Sequence, residues 1–291
     1  METDRTKQDV RKFYDQIGWQ KVSEDTYQNA QYEDLRRVSS SYIHKCHMRI
    51  NRHLKPSGKY LLDAGSGPIQ YPQYLSYSKK YTYRVCLDIS IVALEEARGR
   101  IGAHGLFVVA DVARLPFKDD VFEGIVSLHT LHHVPAQDYV PAFWQLRRVL
   151  SPNATAVIVN GWSESRLMRL FRYPMLLIER VQRLGTRHPA GAKTAQSSPK
   201  TTQEKPKGTF VHKLTAQSLE ESLGEEFPFE IIVWRSVSVR FLRALIHPFF
   251  FGRFFLWIIY QLEELFPAYF GVNGQYPMIY FKKTSNGWTG R

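Results

Sequence analysis

Three histidines, His129, His132 and His133, cluster directly after the apolar run at 125–128. Imidazole is the side chain whose ordinary pKa lies nearest neutrality, so such a cluster suits removal of a proton from a substrate. A loop histidine also serves by bonding backbone or by packing on a ligand. Upstream, the stretch LLDAGSGPIQ (61–70) sets Gly65 and Gly67 behind another apolar run. Glycines there let the backbone approach a ligand, and amides at a helix start favour its negative end. A dinucleotide loop wants a third glycine where Gln70 stands, so this loop favours a nucleoside ligand without a pyrophosphate, or is simply a tight turn. Asp88 ends the next apolar run about 20 residues on, where a carboxylate reaches ribose hydroxyls. The alternative is an N-cap for the following helix, a role Ser90 also fits. Asp111, in FVVADVARLPF, is placed to accept from an exocyclic amine, or is a solvated loop acid.

The elements that must hold these residues are legible as short apolar runs at 60–62, 83–87, 106–109, 125–128 and 156–159, with helical periods at 91–100 and 138–150 between them. Strands spaced by helices imply βαβ units and a mostly parallel, doubly wound sheet. Residues 56–160 form the binding core on this reading, and residues 1–55, with Phe13, Tyr14, Ile17, Trp19, Tyr27, Tyr32 and Tyr42, a helical and aromatic cap. Beyond 160 a helix at 166–184 runs into a basic segment at 185–208, rich in Pro, Gly, Ser, Thr and Lys, which buries too little apolar surface to offset its ordering entropy and reads as a mobile loop. A helix start at 215–219, a strand at 229–239, an aromatic stretch at 241–270 and a last strand at 276–281 complete the chain.

Composition narrows the function class. The chain has 291 residues, 44% of them hydrophobic, enough for one large α/β core with an appendage. Its two cysteines, Cys46 and Cys86, fit no metal spacing, which points to a reducing compartment, and the charged start at Met1–Arg5 lacks the apolar core of a signal peptide. The expectation is a cytoplasmic protein without a metal. A net charge of +12 favours anionic partners, but no nucleic-acid motif accompanies it, which disfavours nucleic acid.

LLDAGSGP, VCLDIS, VVADVARLPF, FEGIVSLHTLHHVP and LRRVLSPNATAVIV, taken in order, resemble the successive motifs of class I S-adenosylmethionine-dependent methyltransferases, particularly the ubiquinone and menaquinone branch. The resemblance spans about residues 55–160. It implies a Rossmann-like seven-stranded sheet with an antiparallel last strand, S-adenosylmethionine as cofactor and methyl transfer to a small or lipophilic organic acceptor. By resemblance, Asp63, Ala64, Gly65, Ser66 and Gly67 hold the methionine end, Asp88 and Ile89 the ribose, and Asp111 and Val112 the adenine. Ser127, Leu128 and His129 line the methionine side. His132 or His133 is the candidate base, and Tyr14, Trp19 and His133 face the acceptor. Pro68 replaces a glycine that often ends the first motif, and Asn153 stands where a glycine usually follows Ser-Pro.

A fold that binds the cofactor without turnover is the competing reading, and the aromatic stretch is its best support. Pro248 should break that stretch, and Arg243 and Arg253 interrupt it, so a spanning helix is not expected. A lid over the acceptor pocket, a homodimer contact, or a peripheral contact with an anionic membrane surface are the roles left for it.

Overall fold

The computed structural model describes residues 2–19, 21–23, 26–27, 33–185 and 210–284. Tyr32 and all but the first residue of the basic segment at 185–208 lie outside the described residues. The seven strands of the main sheet are β1 (Gly58–Ala64), β2 (Tyr81–Asp88), β3 (Gly105–Val109), β4 (Phe122–Leu128), β5 (Leu150–Val159), β6 (Glu230–Arg235) and β7 (Tyr276–Lys282). They lie in the order β3-β2-β1-β4-β5-β7-β6. The first five are parallel, and β7 runs antiparallel to both β5 and β6. The expected α/β sheet with its antiparallel last strand is therefore present.

Burial explains why the central strands read as unbroken apolar runs: β1 ends on four consecutive buried residues, and both of its faces are covered. Helix α3 (Ile91–Ile101) packs Leu94 and Ala97 against Leu61, Cys86 and Val126 on one face. On the other, α4 (Ala136–Val149) packs Phe143 and Leu146 against Leu62, Ile125 and Ile158. Chain order reverses between β1 and β4, whose register pairs Leu61 with Gly124 and Asp63 with Val126. An open parallel sheet leaves a crevice at such a point, outside the carboxyl ends of its strands.

Three expectations are corrected. No α-helix follows the glycine loop; a turn and a 3-10 helix, Pro72–Ser78, stand there. Prolines at 68 and 72 deny two backbone donors to a helix over this stretch. The strand expected at 229–239 ends at Arg235, because the Ser238 hydroxyl accepts from Phe241 N at 3.1 Å and caps a new helix (Val239–Leu245). The helical period at 166–184 is two helices, Arg166–Leu170 and Arg172–Gly185. Asn153 adopts φ +62, which asparagine tolerates better than most residues and which suits it to a glycine's usual place.

The aromatic stretch is wholly helical in character. After Val239–Leu245 come a single turn at Pro248–Phe250 and the helices Gly252–Leu265 and Pro267–Asn273. Among the described residues no helix is long and apolar enough to cross a membrane. At the other end of the chain, α1 (Glu2–Phe13) is fixed to the core by Lys7, which pairs with both Asp111 and Asp138. A wide turn, Tyr14–Gly18, and the helix α2 (Arg37–Met48) follow.

Candidate functional site

A cavity of about 530 Å³ occupies that crevice. Its floor comes from the ends of four strands: residues 65–68, 87–89, 110–112 and 128–130. The N-terminal segment covers it through Lys7, Phe13, Tyr14 and Trp19, as the sequence suggested for a cap. Left-handed backbone recurs here, at φ +76 and +53 in Gly65 and Gly67, which glycine adopts freely, and at φ +55 in His129, where a side chain makes it strained. A Cβ on Gly65 would meet the Thr130 side chain at 2.1 Å, so glycine is required there both for its φ and for space.

Asp88 is the acid best placed for a ligand. Its Oδ2 accepts from Gly67 N at 2.9 Å and its Oδ1 from Ser90 N at 2.9 Å, which fixes the carboxylate against the glycine loop. Burial raises its pKa to about 6, with the two backbone donors opposing a larger rise. The competing capping role falls to Ser90, whose hydroxyl accepts from Ala93 N at 3.1 Å at the start of α3. Ile89 lines the cavity beside it.

One strand further, Asp111 and Val112 also line the cavity. The Asp111 Oδ1 accepts from Ala113 N at 2.9 Å, while its Oδ2 takes Lys7, so the protein's own ammonium occupies part of the acceptor capacity expected for an exocyclic amine.

Three of the expected ligand contacts are redirected inward. Asp63 reaches the cavity wall, but its carboxylate is committed to Arg84, whose Nε donates at 3.0 Å, in a pair that is buried on both sides. Ser127 donates to the Ala64 carbonyl at 2.8 Å, tying β4 to β1, and neither residue is among those lining the cavity. A buried hydroxyl without a partner is costly, and a neighbouring strand's carbonyl is the nearest remedy. Gly65, Ser66, Gly67, Leu128 and His129 do line the cavity as expected.

The histidines are distinguished by their partners. A carbonyl only accepts, so the 2.7 Å contact from His133 Nδ1 to the Phe210 carbonyl places the proton on Nδ1. Nε2 then accepts from the Tyr14 hydroxyl at 2.7 Å. Tyr14 in turn stacks on Trp19, ring centroids 5.1 Å apart, and Trp19 lies over Gly67. Burial lowers the pKa of His133, against the Phe210 carbonyl, which favours the cation. His132 is lowered much further, by burial and then by its histidine neighbours, and its Nδ1 meets Asn160 Oδ1 only at 3.4 Å. His129 is held down at about 3 by burial and by Arg235, and its ring packs edge-on against Trp234. All three rings are neutral at pH 7.

Sequence reasoning singled out Tyr71 and Tyr74 after the glycine loop but missed Glu33, Arg235 and Tyr276, which line the far end of the cavity with them. Arg235, at the end of β6, donates through Nη1 to Glu33 Oε1, and its guanidinium lies 4.5 Å from the Tyr276 ring centre. An arginine inside the apolar strand EIIVWR was the available signal, since a buried cation needs a partner.

Residues 62–158 match the family model described as a methyltransferase domain. A curated relative, the methyltransferase GfsG of Streptomyces halstedii, is 30% identical over 109 residues, 36% of this chain. The match spans 38% of that relative's length. Among solved structures, the [4+2]-cyclase SpnF aligns over 96% of this chain and 97% of its own, with 16% identity and a TM-score of 0.50. Phosphoethanolamine N-methyltransferase 1 of Haemonchus contortus aligns over 99% of this chain and 51% of its own, with 11% identity and a TM-score of 0.53. The chain thus carries, at residues 62–158, a segment that matches the methyltransferase-domain family, set in a fold that both structures share.

Proposed function

We propose that the chain transfers a methyl group from S-adenosylmethionine to a small or lipophilic organic acceptor. The observation that carries this is Asp88, a carboxylate fixed by Gly67 N on the cavity floor one strand from a second acid, Asp111, which is a nucleoside-shaped arrangement of acceptors. The family match supports it, and so does the Haemonchus structure, described as a complex with S-adenosylhomocysteine. SpnF is named as a cyclase, so the fold alone does not choose the reaction and a product assay must.

When bound, the cofactor supplies an electrophilic methyl group on a sulfonium sulfur. Asp88 accepts from the ribose hydroxyls, Asp111 and Val112 flank the base, and Gly65 to Gly67 approach the methionine portion. Trp19 and Tyr14 cover the loop and exclude water, which favours an in-line displacement that depends on alignment. Neutral His133 takes up the proton through Tyr14, whose hydroxyl passes its own proton to Nε2 and accepts one from the acceptor hydroxyl or thiol. The aromatic far end, with Tyr71, Tyr74 and Tyr276, suits a planar lipophilic acceptor, in keeping with the quinone methyltransferase branch.

Titration calorimetry tests the cofactor assignment. Asp88→Ala weakens S-adenosylmethionine binding by about 1.5–3 kcal/mol, the range for a hydrogen bond to a charged group. Because the Asp88 pKa is raised to about 6, its charge is present above that pH, and affinity declines as pH falls through 6. Unchanged affinity in the variant, or tighter binding of NAD than of S-adenosylmethionine to the native protein, rejects the assignment.

A further inference from the structure

The helix Gly252–Leu265 buries one stripe, Gly252, Leu256, Tyr260 and Glu263, at helical spacing. Its other faces are more apolar than this stripe. Phe254, Phe255 and Trp257 are each more than half exposed, and the preceding turn presents Phe249, Phe250 and Phe251 at 94%, 71% and 77% exposure. Phe251 holds φ +52, a left-handed conformation that a phenylalanine rarely adopts. No residue of 241–270 is among those lining the cavity, so the stretch does not act as the expected lid. Its inner face packs instead on α2, through Tyr42, Ile43 and Cys46. A set of large rings this size on a protein surface marks an interaction site.

The charges around it select the occupant. Residues 239–275 contain only two acids, Glu263, which is buried, and Glu264, which is exposed but held in ion pairs. Glu263 is fully buried, accepting from Tyr42 at 2.6 Å and pairing with Arg49 at 2.9 Å. Glu264 pairs with Arg49 and Arg52. Between Phe249 and Leu262 the one charged side chain is therefore the exposed Arg253. The helix Arg172–Gly185, which packs on Val239–Leu245, exposes Tyr173, Leu177 and Val181 beside Arg172 and Arg180, while its Glu179 is taken by Arg240. Residues 186–209 contain no Val, Ile, Leu, Met, Phe, Tyr or Trp, a composition without an apolar complement to this face. Exposed aromatic rings bordered by arginines, with the nearby acids held in ion pairs, match the interface of an anionic bilayer, where rings sit among headgroups and cations meet lipid phosphates.

We infer that Phe249 to Trp257 dock the protein on an anionic membrane surface without crossing it. The placement suits a lipophilic acceptor. Trp162 and Ser163 line the cavity just before the Ser165 cap of Arg166–Leu170, and Arg235 lines it just before the Ser238 cap of Val239–Leu245. Both exposed apolar elements thus lead out from the cavity rim.

The test is co-sedimentation of the full chain with vesicles of phosphatidylcholine alone and of equal parts phosphatidylcholine and phosphatidylglycerol, alongside sedimentation velocity without lipid. The native protein is expected to pellet with the anionic vesicles and much less with the neutral ones. The triple variant F250S/F255S/W257S loses at least tenfold in vesicle affinity, while its S-adenosylmethionine affinity, read in the same preparation, stays native. R172Q/R180Q, on the helix Arg172–Gly185, weakens only the anionic binding. No pelleting of the native protein, equal pelleting with both vesicles, or undiminished binding of the triple variant overturns the inference. A lipid-free dimer that the triple variant splits also overturns it, and assigns the face to a second copy. None of these outcomes depends on turnover, so loss of the membrane inference leaves the methyl-transfer reading standing.

Discussion

Replacing His133 by alanine is expected to lower turnover by about 100-fold, the usual contribution of a positioned general base, while leaving S-adenosylmethionine affinity within a few-fold of native. His133 is chosen over His132 on its partners. A base must become a cation as it takes the proton. The Phe210 carbonyl at 2.7 Å from Nδ1 stabilises that cation, whereas His132 sits deeper among histidines that oppose it. His132→Ala is accordingly expected to keep activity within a few-fold. The pH profile gives a second reading. The His133 pKa lies below its ordinary value of 6.5, mainly through burial, so the neutral, proton-accepting form persists below that pH. The acid limb of kcat should therefore fall below pH 6.5 and vanish in the variant. If His133→Ala keeps near-native turnover with the same profile, the base lies elsewhere or the acceptor needs none.

Replacing Glu33 by alanine is expected to cost about 3–5 kcal/mol of folding stability, measured by denaturant unfolding, because it strands the Arg235 guanidinium in a site only 2% exposed. Arg235 Nε already has no partner among the described residues, and its counterion is Glu33. Burial alone would raise the Glu33 pKa, but the charge of Arg235 and the nearby His47, whose Nε2 lies 3.7 Å away, outweigh it and hold the carboxyl at about 2. A folded pKa below the unfolded one means that the stabilisation is complete above about pH 4.5 and disappears as pH falls towards 2. The gap between native protein and variant should therefore narrow over that window. The double variant Glu33→Gln, Arg235→Met removes both charges and should recover most of the loss, since an apolar replacement of a buried pair is often neutral. A gap that does not vary with pH, or a double variant no more stable than Glu33→Ala, refutes the account.

The sheet and the cofactor loop are set locally, which is why they were legible. Apolar runs of strand length, each ending on Gly65, Asp88, Asp111 or His129, state both the βαβ repeat and the edge at which its chemistry collects. Residues near in sequence or one βαβ unit apart decide such features: Ser90 caps α3 three residues on, and Asp88, ending β2, meets Gly67 in the loop after β1. The aromatic stretch gave up its break at Pro248 for the same reason.

The tertiary structure decided which polar groups are free to meet a ligand. Asp63 and Ser127 read as site residues because they end strands at the right edge, yet burial obliges each to find a protein partner, and Arg84 and Ala64 are nearest. Lys7 reaches Asp111 across 104 positions, and Arg235 reaches Glu33 across 202. No local pattern encodes pairings of that length, because a buried charge selects its partner only after the sheet has closed. The sequence by itself determined the crevice, its glycine loop and the acid, Asp88, that meets that loop. Folding determined the cap over the crevice, the ion pair at its far end and the outward aspect of the aromatic helix, since these depend on which faces the core leaves uncovered.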